Sequence, residues 1–149
     1  MKFIVDKMLG RLAKWLRLFG YDTVYFTEGS DKELVFESVR QQRILLTRDK
    51  GISKRKPLKI IFINSEKFAE QIEQLKSDLK IEIDTKKIFT RCIKCNTPLE
   101  KIEKEKVKDK VPPYTFETHD DFSYCPKCNK IYWQGSHIEL AEKIIEKWQ

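Results

Sequence analysis

Four cysteines, arranged in two pairs, are the residues whose type and spacing point most directly to chemistry. Cys92 and Cys95 form one C-x-x-C pair, and Cys125 and Cys128 form the second pair after a gap of 29 residues. A C-x-x-C turn directs two thiolates at one point, and two such turns supply the four sulfur ligands of a closed tetrahedral zinc site. A closed site leaves no position for water, so we expect a structural zinc ion. The alternatives are two disulfides or a redox-active dithiol.

The segment around these cysteines, residues 91–137, is predicted to fold as a small zinc ribbon. Its apolar core is small, so zinc binding, worth ~10–16 kcal/mol in such sites, should supply much of its folding free energy. The charged insert at 100–110 is expected to be a hairpin or a mobile arm, and Pro112-Pro113 is expected to exclude a helix there. His137 is interpreted as a packed or surface residue rather than one that contacts a ligand.

Three aspartates occupy positions from which they could share a metal ion. Asp6 follows the first predicted strand, Asp49 follows the third, and Asp31 opens the second predicted helix. In an open parallel sheet these positions meet at the carboxyl edge, near the point where the strand order reverses. Converging carboxylates repel one another unless a cation such as Mg²⁺ or Mn²⁺ lies between them, and such ions activate water against phosphates. The alternatives are a helix cap for Asp31 and a turn for Asp49.

Basic residues accompany these aspartates. Lysine and arginine side chains bind backbone phosphates without reading sequence. A solvated basic surface is the alternative for each of them. The residues proposed to bind phosphate are Arg11, Lys14 and Arg17 on the first predicted helix, Arg48 beside Asp49, and Lys54 and Arg55 in the loop 50–59.

The elements that must position these residues follow a β-α-β-α-β-loop-β-α order. Continuous apolar strands separated by amphipathic helices predict a parallel sheet covered by helices on both faces. The predicted strands are 3–5, 23–26, 44–47 and 60–63. The predicted helices cover 9–19, 31–42 and a segment capped by Ser65 that ends near 79, and a final helix is predicted over 138–148.

Composition limits the classes of protein that remain. The chain has 149 residues and a formal charge of +7, with 19 Lys+Arg against 13 Asp+Glu in residues 1–90 and 11 against 10 in residues 91–149. The excess of positive charge in the first part makes a polyanion partner plausible. No apolar run reaches the ~20 residues of a membrane span, and the amino terminus lacks a signal-peptide core, so we expect a cytoplasmic protein with no membrane partner. We predict two domains, 1–87 and 88–149.

Several segments together resemble a known family. FIVDKMLGRLAKWLRLFGYDT, SDKEL and RILLTRD, followed by RCIKC, VPP and YCPKCNKIYWQGSH, are similar to the PIN-like ribonuclease family named for the carboxyl-terminal domain of the mut-seven protein. The resemblance implies a three-layer PIN-type α/β/α sandwich with an appended zinc ribbon and a metal-dependent ribonuclease site. It matches Asp6 to the first-strand aspartate, Asp49 to the TRD motif and Asp31 to the acid of the second helix, where Glu28 or Glu33 could substitute.

We therefore predict a Mg²⁺- or Mn²⁺-dependent endoribonuclease that prefers single-stranded RNA, with a protein partner possible through the ribbon or the last helix. No fourth acid of the PIN type is found, since none occurs between Asp49 and Glu66. A non-catalytic RNA-binding module of a ribosomal or RNA-processing complex, and a protein-interaction adaptor, remain as alternatives. The chain has no D-x-D after its first strand and no G-x-G-x-x-G, which disfavours haloacid-type phosphohydrolases and dinucleotide-binding proteins.

Overall fold

The computed structural model describes residues 1–53 and 59–133, which form two compact units. The first, here called the sheet unit, comprises Met1–Arg17 and Tyr21–Glu82. The second, here called the cysteine unit, comprises Leu18–Gly20 and Ile83–Gln149, of which residues after 133 are not described. No helix within the described residues has the length and apolar character needed to cross a membrane.

The sheet unit is built on four parallel strands in the order β2-β1-β3-β4. Its strands are β1 (Lys2–Val5), β2 (Asp22–Tyr25), β3 (Ile44–Thr47) and β4 (Ile60–Phe62). Its helices are α1 (Gly10–Leu18, whose last residue belongs to the cysteine unit), α2 (Asp31–Arg40), α3 (Lys50–Ser53) and α4 (Phe68–Leu79). The predicted α/β fold class with a central parallel sheet is thereby confirmed.

Helices cover both faces of this sheet because its two central strands are apolar on both sides. Ile4 of β1 and Leu45 of β3 pack against Leu34 of α2 and Ile52 of α3. The neighbouring strand residues, which point the other way along a pleated strand, are also buried. On α1 and α4 the rings of Trp15 and Phe68 lie 5.4 Å apart.

The strand order places a topological switch point between β1 and β3. The chain passes from β1 to β2 on one side and then crosses back to β3 on the other. Val5 pairs with Leu46, and the Asp6 amide donates to the Leu46 carbonyl at 3.1 Å. The residues that follow these two strands therefore emerge side by side, in the crevice where open α/β sheets bind ligands.

Several predicted boundaries in the sheet unit differ from the observed ones. Helix α2 ends at Arg40 rather than Gln42, because Gln42 adopts a left-handed conformation with φ of 54°. Ser65 does not cap α4; it accepts a hydrogen bond from the Lys67 amide at 3.0 Å, and the helix begins at Phe68. Helix α3 occupies the start of the predicted basic loop, whose residues 54–58 lie outside the described residues.

The cysteine unit contains an antiparallel sheet of three short strands, β5 (Glu100–Ile102), β6 (Phe122–Tyr124) and β7 (Ile131–Trp133). The charged insert supplies β5 and a 3-10 turn, Lys104–Val107. The expectation that Pro112-Pro113 excludes a helix is wrong. Helix α5 (Pro113–Thr118) begins at Pro113, since the first turn of a helix needs no amide donor from proline. The predicted final helix at 138–148 lies outside the described residues.

Gly20 is required by the turn after α1. Its φ is +92°, and a Cβ built on it would lie 2.6 Å from the Lys87 carbonyl oxygen, which belongs to the same unit. Gly20→Ala is therefore expected to lower the free energy of unfolding by about 1–3 kcal/mol. Urea denaturation followed by circular dichroism measures this loss. An unchanged denaturation midpoint would show that the turn tolerates a side chain.

Candidate active site and metal centre

A small open cavity of about 70 Å³ lies at the carboxyl edge of the parallel sheet. The three aspartates predicted from the sequence, Asp6, Asp31 and Asp49, all line it. Phe26, Leu34 and Ile52 supply an apolar part of the wall, and the remaining lining residues are Lys7, Met8, Thr27, Gly29 and Ser30. The cavity thus combines carboxylates and one lysine with an apolar surface.

Asp6 is the most firmly held of the three aspartates. It directly follows β1, is 5% exposed, and caps the 3-10 turn Lys7–Leu9. Its Oδ1 accepts a hydrogen bond from the Met8 amide at 2.8 Å. Its Oδ2 accepts from the Thr47 hydroxyl and from the Arg48 amide, the latter at 3.2 Å. These three donors fix the orientation of the carboxylate.

Thr47 connects two of the aspartates. It is the last residue of β3 and is fully buried. Its hydroxyl donates to the Asp6 carboxylate and accepts from the Asp49 amide at 2.9 Å. Asp49 itself is half-buried, and its Oδ1 accepts from the Gly51 amide at 2.8 Å. Asp49 Oδ2 accepts no hydrogen bond from the described residues, so it is available to a ligand in the cavity.

Asp31 lines the same cavity from the first position of α2. It is exposed, and the neighbouring Ser30 caps the helix, accepting from the Glu33 amide at 3.2 Å. Glu28 and Glu33, the alternatives to Asp31, are exposed and do not line the cavity. In residues 1–53 and 59–133 the four cysteines are the only group of three or more potential ligands whose atoms all lie within 4.8 Å. The three carboxylates are therefore less closely gathered than the cysteines.

The four cysteines converge on one point in the cysteine unit. The Sγ atoms of Cys92 and Cys128 are 3.5 Å apart, and those of Cys95 and Cys125 are 3.3 Å apart. A disulfide requires about 2.05 Å, so the cysteines are free thiols rather than two disulfides. Four sulfurs in this arrangement could hold a metal ion such as zinc.

Each C-x-x-C pair is shaped by a tight turn that ends in asparagine. The Asn96 amide donates to the Cys92 carbonyl at 2.9 Å, and the Asn129 amide donates to the Cys125 carbonyl at 2.8 Å. Both asparagines are left-handed, with φ of 71° and 62°. Asparagine tolerates this conformation better than most residues, which explains why the same residue follows both pairs.

The surroundings of the thiols favour their charged form at two positions. Burial raises the pKa of Cys92, but hydrogen bonds outweigh it, first that of Tyr132, and the pKa falls below its usual value. Burial also raises the pKa of Cys95, yet hydrogen bonds with the side chain and backbone of Thr97 lower it to about 6. At Cys128 a hydrogen bond with the Lys130 backbone lowers the pKa, but burial and the thiols of Cys125 and Cys92 outweigh it and raise the pKa to about 11. The thiolate is the form that binds metal, so Cys92 and Cys95 are the two positions whose surroundings favour a cation.

Tyr132 forms a side-chain hydrogen bond with one of the four cysteines, Cys92. It is buried, its hydroxyl lies 3.1 Å from Cys92 Sγ, and it accepts from the Ile93 amide at 3.1 Å. Outer partners of metal ligands change metal affinity by about 10–100-fold. Tyr132→Phe is therefore expected to accelerate loss of the bound metal to a chromogenic chelator by at least about tenfold. Tyr114→Phe, at an exposed tyrosine of the same unit, is the control, and equal rates for both variants would contradict a role for the hydroxyl.

The basic residues predicted to bind RNA have different surroundings. Arg11 and Lys14 are exposed on α1, and the Arg11 guanidinium lies over the Phe68 ring at 4.8 Å. Arg48 is partly buried; its Nη1 donates to the Ile63 carbonyl at 2.8 Å, and its Nη2 lies 3.9 Å from Glu66. Lys54 and Arg55 lie outside the described residues.

Arg17 differs from the other basic residues of α1 because it is buried. It is 8% exposed, and its Nε donates to the Thr23 carbonyl at 2.8 Å. This hydrogen bond connects α1 to β2. Because the side chain is buried, little of the guanidinium is accessible to a large ligand. We therefore assign Arg17 a structural role instead of the predicted phosphate contact.

The chain is similar to a known protein family over nearly its whole length. The family model described as the Mut7-C RNAse domain matches residues 1–145. The chain belongs to the Mut7-C RNAse domain family. No curated protein and no solved structure matches it significantly. The resemblance found in the sequence is thus confirmed at the level of the family, and Mut7-C membership suggests a ribonuclease-like function.

Two side chains that support the sites of this Mut7-C domain are not among the predicted site residues. In the sequence Thr47 ends a predicted strand, and Tyr132 lies within the segment YCPKCNKIYWQGSH, four residues after Cys128. The TRD segment places a hydroxyl two residues before Asp49, which is a detectable signal for Thr47. Tyr132 offers no such signal, because its contact with Cys92 joins residues 40 positions apart.

Proposed function

We propose that this Mut7-C domain is a Mg²⁺- or Mn²⁺-dependent endoribonuclease that acts on single-stranded RNA at the cavity lined by Asp6, Asp31 and Asp49. The observation that carries the proposal is that these three carboxylates line one cavity at the switch point of the parallel sheet. Membership of an RNAse family makes a phosphodiester the substrate to expect at such a site. The narrow cavity favours a flexible strand over a rigid duplex.

The carboxylates fit a hard divalent cation. Mg²⁺ keeps several waters and is commonly held by one or two carboxylates, so three carboxylates within direct reach of each other are not required. Asp49 Oδ2 accepts no hydrogen bond from the described residues, and Asp6 keeps acceptor capacity beyond its three donors. Asp49 and Asp6 would hold the cation, and Asp31 would add negative charge from the same cavity wall.

When bound, the cation supplies Lewis-acid stabilisation of a phosphate and lowers the pKa of a water molecule. The side chains of the protein orient the aspartates and the attacking water, and they supply charge that binds the phosphate. The Thr47 hydroxyl donates to the Asp6 carboxylate and accepts from the Asp49 amide. These two bonds fix the positions of the two aspartates relative to each other. Asp49 accepts a hydrogen bond from the attacking water and aligns it with the phosphorus atom. Lys7, exposed at the cavity wall, donates to a non-bridging oxygen of the scissile phosphate.

Further contacts to the RNA backbone are assigned to exposed basic residues. Arg11 and Lys14 lie one turn apart on α1 and bind neighbouring phosphates. Arg48 could contact the RNA backbone only through the part of its guanidinium that does not contact Ile63 or Glu66. Lys54 and Arg55 remain predictions from the sequence. We further propose zinc as the metal of the four cysteines, with a structural role, and the cytoplasm as the location, since free thiols persist in a reducing compartment.

The proposal is tested by metal titration of the purified full chain. A 5′-labelled single-stranded RNA of mixed sequence should be cut internally when Mn²⁺ or Mg²⁺ is added and should stay intact when neither ion is present. The same RNA annealed to its complement should be cut more slowly. An RNA left intact at all metal concentrations would reject the nuclease proposal.

One observation favours a second candidate, a non-catalytic RNA-binding module. The Asp6 carboxylate already has three protein donors, which also suits a purely structural carboxylate that joins β1 to β3. In that case RNA would bind with equal affinity with and without added Mn²⁺ and would never be cut. The titration above separates the two candidates.

Replacing Thr47 tests the support of the carboxylates. Thr47→Val keeps the shape of the side chain but removes the hydroxyl, which leaves the Asp49 amide and one Asp6 oxygen without that partner. We expect cleavage to fall by about 10–100-fold and the free energy of unfolding to fall by about 1–3 kcal/mol. Thr47→Ser, which retains the hydroxyl, should recover most of the cleavage rate. Equal activity of the valine and serine variants would contradict this role.

A further inference from the structure

The aspartate cavity is too small to admit a nucleobase together with a cation. Its volume is about 70 Å³, and a cavity needs roughly 10–15 Å³ for each water molecule that it holds. The cavity therefore has room for about five water-sized groups. Such a space suits a cation with some of its waters, a phosphate oxygen and a sugar hydroxyl. The groups of a nucleic acid that reach its wall are therefore those of the backbone.

One stretch of the cavity wall, residues 27–31, carries hydroxyl and carboxylate groups. Thr27, Ser30 and Asp31 all line the cavity, and all three are exposed. Ser30 Oγ accepts from the Glu33 amide at 3.2 Å, so its own proton stays available for another hydrogen bond. Within residues 1–53 and 59–133, the side chains of Thr27 and Asp31 make no hydrogen bond. This wall therefore offers hydroxyl donors together with a carboxylate acceptor.

Phe26 and Gly29 fix this stretch of wall to the sheet. The Phe26 amide donates to the Val5 carbonyl at 2.9 Å, and its ring packs against a buried core cluster of the sheet unit. Gly29 has a φ of +129°, and a Cβ built on it would lie 2.7 Å from the Phe26 ring. The backbone therefore passes close over that ring, which limits how far Thr27 and Ser30 can move. A wall held in this way can distinguish ligands that differ by a single hydroxyl.

The groups of this wall match the 2′-hydroxyl of a ribose. This hydroxyl is the backbone group that lets a protein distinguish RNA from DNA, and it both donates and accepts hydrogen bonds. A carboxylate accepts its proton, and its oxygen has two lone pairs that accept from other hydroxyls. A phosphate oxygen suits this part of the wall less well, because Asp31 repels it. Another lining residue, Lys7, supplies a cation for the phosphate.

We propose that Thr27, Ser30 and Asp31 bind the 2′-hydroxyl of the nucleotide beside the scissile phosphate and make the site prefer RNA to DNA. The 2′-hydroxyl donates to one Asp31 carboxylate oxygen and accepts from the hydroxyls of Thr27 and Ser30. Asp31 keeps its negative charge in this contact, so the contact is compatible with a cation in the same cavity. The inference rests on the proposed function, since it takes this cavity as the place where the strand is cut.

The test compares RNA and DNA of the same sequence on the full chain. A 5′-labelled single-stranded oligomer that contains only adenine and cytosine is made in both forms, so that the 2′-hydroxyl is the sole chemical difference. Cleavage of each form is followed at saturating Mn²⁺. Because the wall residues are exposed, water can replace a missing 2′-hydroxyl, and the penalty is smaller than at a buried site. The RNA should be cut about tenfold faster than the DNA.

Thr27→Val separates a contact with the 2′-hydroxyl from a general defect. The change removes the hydroxyl at an exposed position and keeps the shape of the side chain, so the variant should fold normally. It should lower the ratio of the RNA rate to the DNA rate severalfold, and Thr27→Ser should restore that ratio. A merely structural defect would lower both rates together and leave their ratio unchanged. Thr118→Val, at an exposed threonine outside the cavity, is the control and should keep the wild-type ratio.

A binding measurement covers a chain that holds the strand without cutting it. Ca²⁺, which also takes carboxylate oxygens as ligands, replaces Mn²⁺, and the anisotropy of the same two oligomers carrying fluorescein is recorded. The RNA form should bind severalfold more tightly than the DNA form. Thr27→Val should lose most of this preference, and Thr118→Val should keep it.

Four results would overturn the proposal. They are equal rates and equal affinities for RNA and DNA, a preference that survives Thr27→Val, a preference lost equally in Thr118→Val, and no binding of either oligomer. A chain that never cuts RNA, but prefers it to DNA and loses that preference in Thr27→Val, would reject the nuclease and keep the 2′-hydroxyl site. Cleavage of RNA and DNA at equal rates would do the reverse.

Discussion

Asp49→Asn is expected to lower the rate of RNA cleavage by about 100-fold or more while leaving the fold intact. Outer partners of metal ligands already change activity by about 10–100-fold, so loss of a direct carboxylate ligand should exceed that range. The asparagine Oδ1 can still accept from the Gly51 amide, which preserves the local hydrogen bond. Cleavage of labelled single-stranded RNA at saturating Mn²⁺ measures the effect, and thermal unfolding checks stability.

Asp78→Asn is the matched control, because Asp78 is an exposed aspartate of the same unit outside the cavity. It should retain full activity. Asp6→Asn is less informative: its amide group would place a donor against the Thr47 hydroxyl or the Arg48 amide, so a loss of activity would be mixed with a loss of stability. Wild-type cleavage by the Asp49 variant would remove this residue from the proposed site.

Cys125→Ser is expected to abolish metal binding in the cysteine unit and to unfold it. Cys125 is fully buried, and serine oxygen is a poor substitute for thiolate at a zinc site. Metal binding in such units corresponds to about 10–16 kcal/mol of apparent free energy, so the sheet β5-β6-β7 should not remain folded without it. Native mass spectrometry should show one zinc ion per wild-type chain and none in the variant.

Lys127→Ser provides the control for this experiment. Lys127 is exposed within the same C-x-x-C turn as Cys125, so the variant adds the same serine without removing a ligand. It should retain the metal and its unfolding temperature. Zinc retained by Cys125→Ser at the wild-type level would contradict the four-cysteine site.

The fold and the meeting of the aspartates could be anticipated from the sequence because both follow from strand order. Apolar runs of three residues, Phe3-Ile4-Val5 and Ile44-Leu45-Leu46, predict a sheet buried on both sides, and Asp6 and Asp49 follow these two strands, which are neighbours in it. Topology alone brings such residues to one edge. It does not fix the distance between carboxylates, which depends on side-chain rotamers and on the hydrogen bonds of Thr47.

The errors arise where a local pattern is decided by distant partners. Arg11, Lys14 and Arg17 share a three-residue spacing on α1, yet only Arg17 meets a carbonyl of β2, so it is buried while the others are exposed. The wrong expectation at Pro112-Pro113 has a different physical cause. Proline breaks a helix in its interior but suits its first turn, and the sequence did not reveal where the helix begins.

The discontinuity of the cysteine unit limits how the protein can be divided for experiment. Leu18–Gly20 belongs to that unit, and the Leu18 carbonyl accepts from the Phe89 amide at 3.1 Å. A fragment that stops at Glu82 would lose the donor to Leu18, and one that starts at Ile83 would lose its acceptor. Activity and metal content should therefore be measured on the intact polypeptide, because neither half contains all of its own contacts.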